Sequence, residues 1–163
     1  MFNIDKYRSV IWQKGGRAYP HLDCYGIVHE IRQDLGLPTW PVFEGVTKDD
    51  NGLDKEAKLL AKTVSRCGPV HGAVAACYTS SMITHVAIIV NINGLLHAVE
   101  CNPKSNVTVL PLSRFERRFT KVEYYQVTIR IYPSRLQGEP LETHQHGNMT
   151  LHNWLVEKVK RVS

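Results

Sequence analysis

An α+β fold is the class this sequence calls for, and three observations carry the reading. Apolar residues recur at helical spacing in two stretches before residue 67. After Gly68-Pro69 the pattern changes to short β-rich runs divided by Gly, Asn and Pro signals. No helix-like stretch separates those runs, which favours an antiparallel meander over parallel βαβ units.

Taken in order, the first segment leads to a glycine turn, Gly15-Gly16-Arg17, and on to Pro20. The next stretch, Asp23 to Gly36, places Ile27, Val28, Ile31 and Leu35 on one helical stripe, with Gly36 and Pro38 as stop signals. Cys24 therefore falls in the first turn of a helix. A polar, proline-containing loop follows. Leu53, Ala57, Leu60, Ala61 and Val64 then form the apolar stripe of a helix expected over Leu53 to Arg66. Strands are expected at Gly72–Tyr78, His85–Val90, Leu95–Glu100, Asn106–Leu110 and Lys121–Tyr132. Pro133 to Asn148 reads as loop, and Leu151, Leu155, Val156 and Val159 as a short final helix. The organisation expected is one domain over 1–132 with an extension over 133–163.

Composition narrows the function classes. The 163 residues are 43% hydrophobic and 21% charged, which excludes wholesale disorder and fibrous repeats. No apolar run approaches the roughly 18 residues that a membrane-spanning helix needs. The start, Met1-Phe2-Asn3-Ile4-Asp5-Lys6, lacks the basic-then-apolar order of a signal peptide, so a soluble protein outside the general secretory route is expected. A net charge of +5 suits an acidic partner without choosing one. Cys24, Cys67, Cys77 and Cys101 contain no CxxC pair and read as free thiols. Cys67, His71 and Cys77 match no zinc spacing, and no metal or other cofactor is expected.

Chemistry is concentrated at three positions. A helix N-terminus stabilises an anion through its unpaired N–H groups and dipole, so Cys24 is placed to act as a nucleophile; the competing reading is a small buried hydrophobe. His85 opens the apolar run His85-Val86-Ala87-Ile88-Ile89-Val90, where an imidazole can serve as base. His97 lies in the following strand and could orient it, as the third member of a triad does. The pairing depends on register. A two-residue Asn93-Gly94 turn would put the two histidines on opposite faces, whereas an odd loop or a bulge would put them together. A catalytic pair therefore requires the longer turn, and the longer turn is the expectation.

These residues resemble a known family. Asp23-Cys24-Tyr25-Gly26-Ile27-Val28 is similar to the nucleophile signature of the NlpC/P60 cysteine peptidases, and His85-Val86-Ala87-Ile88 to their histidine strand. Leu96-His97-Ala98, twelve positions later, looks like their third-residue segment. Gly15-Gly16-Arg17 and Pro111-Leu112-Ser113-Arg114-Phe115 look most like the branch found in tailed bacteriophages and prophages, which is associated with tail-tip assembly. The resemblance spans about residues 7–130.

It implies a papain-like NlpC/P60 fold, N-terminal helices packed on an antiparallel sheet, with Cys24 as nucleophile, His85 as general base and acid and His97 as orienter. It implies hydrolysis of peptidoglycan stem peptides, often between D-glutamate and a diamino acid. Trp12 stands where many members have a tyrosine, and it is carried with Asp23 as oxyanion or supporting residues. Ala87 replaces a usual glycine. The partners implied are the wall peptide and other tail-tip proteins, with no nucleic acid and no membrane insertion. The implied location is the virion tail tip, or the host cytoplasm before assembly. The alternative is a structural tail-tip protein whose triad is idle. A papain-like acyltransferase fits less well, because those usually place histidine before cysteine.

Other features have plainer readings. Arg114, Arg117, Arg118 and Lys121 read as a solvated basic face, and His144 and His146 as exposed loop residues. Asn106-Val107-Thr108 and Asn148-Met149-Thr150 fit a glycosylation pattern that carries no weight outside a eukaryotic secretory route.

Overall fold

The computed structural model describes residues 2–38 and 40–127. The expected loop over 133–148, its two histidines, the second glycosylation pattern, the final helix and the last residues of the fifth expected strand all lie outside the described residues. So does the 133–163 extension as a whole.

The fold is α+β. A small sheet comes first: β1 (Ile11–Trp12), β2 (Arg17–Ala18) and β3 (His21–Leu22), in the order β1-β3-β2. Helix α1 (Cys24–Asp34) follows directly. Asp23 caps it, its Oδ1 accepting from the N–H groups of Tyr25 and Gly26 at 2.9 and 2.8 Å. At the other end Gly36 takes φ +64°, and Leu37 N–H donates to Arg32 O at 2.9 Å, closing the last turn as the Gly36 stop signal implies. Ile27, Val28 and Ile31 are fully buried, and the helix packs on β6 (Met82–Ile92) and β7 (Leu95–Asn102).

Helix α2 (Gly52–Ala61) is shorter than expected. Thr63 turns its hydroxyl back onto Leu60 O at 2.8 Å, and the next residues become β4 (Ser65–Cys67). Val64 still lines the same apolar cavity as Leu53, Ala57, Leu60 and Ala61, so the stripe was real although its last member is not helical.

The main sheet contains β4, β5 (Val74–Thr79), β6, β7, β8 (Asn106–Pro111) and β9 (Lys121–Gln126), all antiparallel, in the order β4-β9-β5-β6-β7-β8. Strands β5 to β8 are the expected meander. β9 departs from it by pairing with β5 instead of extending the β8 edge. The short helix α3 (Leu112–Glu116) makes this return, because its fully buried Phe115 packs over the sheet. Ala75, Ala87 and Ala98 leave room on that face for the ring.

One close approach fixes where α1 begins. A Cβ on Gly26 would lie 2.3 Å from Gly16 O, and one on Gly16 would lie 2.5 Å from His21 O. Both positions are closed to any side chain, which gives the two glycines of the sequence patterns a packing reason. Gly26→Ala is expected to lower stability by about 1–3 kcal/mol through overpacking against backbone, measurable as a lower urea midpoint with an unchanged m-value.

Candidate active site

The nucleophile candidate sits where two constraints meet. Asp23 ends the first small sheet and starts α1, so Cys24 is the first helical residue. Asp23 takes the N–H groups of Tyr25 and Gly26, and not that of Cys24. Arg17 in turn holds Asp23 in an ion pair at 2.6 Å. The same guanidinium donates to Gly16 O, Val42 O and Val46 O at 2.8 to 2.9 Å and lies over the Tyr25 ring. The residue next to the glycine turn thus ties the loop before α2 to the start of α1.

His85 is placed by β6. A bulge opposite Cys77 and Tyr78 leaves Thr84 unpaired in the register, and from His85 to Ile88 the ladder is regular. The imidazole is buried and stacks on Phe119, with ring centroids 5.9 Å apart. Its Nε2 pairs with Glu100 Oε2 at 2.7 Å, and the Cys24 thiol lies near enough to act on the pKa of the ring. With Nε2 committed to Glu100, Nδ1 is the nitrogen left for sulfur. Burial works against charging this ring. The contacts with Cys24 and Glu100 outweigh it, so the His85 pKa is raised.

Glu100, on β7, is the residue that the sequence reading missed. It is 1% exposed and fully used: Oε2 faces His85, while Oε1 accepts from Thr108 Oγ1 at 3.1 Å and from the Arg118 guanidinium. Burial would raise its pKa, but the hydrogen bonds and charges of His85 and Arg118 bring it down to about 2. Arg118, assigned to a solvated face, turns inward over Phe115 and Phe119 to make this contact. Lys121 of the same group lies over the Tyr78 ring and pairs with Glu123.

His97 does not orient His85. The β6–β7 turn is the two-residue Asn93-Gly94, with φ of +52° and +84°, as a type I′ hairpin requires. Val90 is therefore opposite His97, on the face away from His85, Ala87 and Ile89. The His97 ring instead contacts Leu95 O through Nδ1 at 3.1 Å. The same register, Ile88 opposite Val99, brings Glu100 to the His85 face. The longer turn that a histidine pair required is absent because Asn and Gly both accept positive φ at low cost.

Cys24 opens onto a cleft of about 230 Å³. Trp12, Lys14, Arg17, Asp23, Thr47 and Lys48 are among its walls. Trp12 thus reaches the cleft, although its main-chain N–H is committed to Asn106 Oδ1 at 2.9 Å. Asp23 is a helix cap and not an oxyanion donor: its carboxylate only accepts, and its N–H donates to Gly16 O at 3.2 Å.

The other thiols lie in poorer surroundings. Burial pushes Cys67 up, drives Cys101 to about 12 and raises Cys77 further still. Iodoacetamide near neutral pH is expected to label Cys24 before the other three, as peptide mapping by mass would show. Equal labelling of all four would remove the case for Cys24 as a nucleophile.

Compared with protein-family models and with curated protein sequences, the chain finds no match in either.

Proposed function

We propose that the protein is a cysteine hydrolase of peptide bonds, with a papain-like arrangement of the NlpC/P60 kind. One observation carries the reading: the thiol at the start of α1 meets a buried imidazole whose other nitrogen is held by a buried carboxylate. This is the nucleophile, base and orienter constellation of acyl-transfer enzymes, with Glu100 as third member.

On this reading Nδ1 of His85 takes the thiol proton as Sγ attacks the carbonyl carbon. The Cys24 N–H at the helix start donates to the developing oxyanion, and Trp12 walls the bound chain. His85 returns the proton to the leaving amine, giving a thioester. Water then attacks the thioester, and its proton passes through His85 to restore the thiol. No cofactor enters this sequence of steps.

The substrate proposed is the peptidoglycan stem peptide, and the setting a phage or prophage tail tip beside other tail proteins. Both rest on the residue patterns around Cys24, His85 and Pro111–Phe115. Among the described residues no helix is long and apolar enough to cross a membrane. Incubating the purified protein with muropeptides of known stem composition tests the proposal. Products of one new peptide cleavage, seen by mass and absent with Cys24→Ala, support it. Intact muropeptides in the presence of an alkylatable Cys24 favour the structural alternative.

A further inference from the structure

Three cations line the cleft at Cys24, and two of them are neutralised within it. Arg17 pairs with Asp23, and Lys14 with Asp49. Lys48 is different: among the side chains the structure describes, which do not include that of Asp50, no carboxylate lies in salt-bridge range of its ammonium. Its backbone, however, is held on both sides. Val46 O accepts from Arg17 at 2.8 Å, Thr47 O accepts from Leu53 N–H at 2.8 Å, and Thr47 Oγ1 accepts from Asp49 N–H at 3.2 Å. Asp49 is fastened again by Lys14. An exposed lysine on a tethered segment, at the mouth of a cleft that contains the nucleophile, is a charge held ready for a ligand.

We infer that Lys48 anchors a free carboxylate carried by the substrate beside the scissile carbonyl. This deepens the hydrolase reading and rests on it for the word substrate. It selects acidic peptides over their amidated counterparts. The ammonium's field reaches inward as well, since Lys48 acts to lower the pKa of buried Cys77, which also senses Cys24. Lys48 and Cys24 line the same cleft, so a carboxylate bound at Lys48 shares that cleft with the nucleophile.

Two measurements test this, and the first needs no hydrolysis. Iodoacetate and iodoacetamide alkylate the same sulfur and differ by one negative charge. The ratio of their rates at Cys24 is expected to fall about fivefold in Lys48→Gln and to recover in Lys48→Arg, as loss and return of one partly exposed charge pair imply. If Lys48 instead acts only on the sulfur, both rates drop together and the ratio stays put, which overturns the inference. The second measurement compares kcat/KM for a muropeptide with free α-carboxylate on D-glutamate and for its amidated form. Lys48→Gln is expected to lose the preference for the acid mainly through KM. Hydrolysis with an unchanged preference overturns the anchor and leaves the hydrolase reading intact. Failure of the wild-type protein to cleave either substrate sinks the hydrolase reading, while the alkylation ratio still decides whether Lys48 recruits anions.

Discussion

Replacing Cys24 by alanine is expected to lower kcat for muropeptide cleavage by at least about 10³-fold, because a nucleophile that acts together with its base cannot be replaced by either partner alone. The fold should survive. Alanine is smaller than cysteine, but Asp23 still caps α1 and Ile27, Val28 and Ile31 still bury its apolar stripe. A melting temperature within a few degrees of wild type is the control. The same variant separates the enzyme from the idle scaffold in virions. Normal assembly with poor wall penetration supports the enzyme, and failed assembly by a correctly folded variant supports the scaffold.

The second large effect belongs to Glu100. Truncation to alanine removes the shared partner of His85 and Arg118 and is expected to cost on the order of 3 kcal/mol, since it leaves buried polar groups unpaired. Glu100→Gln keeps the shape and isolates the chemistry. Loss of the carboxylate frees the imidazole to take the wrong tautomer, and kcat is expected to fall by about 10²-fold or more. His97→Ala should stay within about twofold of wild type, because its ring lies on the opposite face of the sheet. A His97→Ala loss as large as that of Glu100→Gln would overturn the assignment.

Acid titration gives Glu100 a separate signature. Its carboxyl is held at about 2 in the folded chain, below its ordinary value. It therefore contributes stability that is complete above the unfolded-state value, about 4.3, and is lost as pH falls toward 2. His85 works in the opposite direction. Its raised pKa gives a contribution present below about 6.5 and lost as pH climbs through the folded-state value. Glu100→Gln should flatten the acid limb of a denaturation series taken between pH 4.5 and 2.

Much of this site was legible in the chain. The helix start at Cys24 followed from Asp23 and the spacing of Ile27, Val28 and Ile31, all local signals. The strand of His85 followed from its apolar run. The third member was missed because the twelve-residue spacing from His85 to His97, part of the family resemblance, outweighed turn chemistry in plain sight. Asn93-Gly94 is a strong hairpin signal, and counting back from it pairs Val90 with His97 and leaves Glu100 to face the base. A lone carboxylate ending an apolar strand was the available clue. Other features were beyond local reading. The return of β9 to β5 depends on Phe115 finding a bed of alanines supplied by three strands. The inward turn of Arg118 depends on where Glu100 ends up.

The clamp on His85 has a kinetic corollary. Glu100 grips one nitrogen and Phe119 covers a ring face, so the imidazole cannot flip between proton transfers. On the proposed chemistry every proton of the cycle passes through a single port beside the sulfur. The departing amine and the incoming water must then use that port in turn, and turnover waits on the amine clearing it. On that same proposed chemistry, a second amine reaching the port before water would take the acyl group from the sulfur, and release of the first amine would set the balance between the two outcomes.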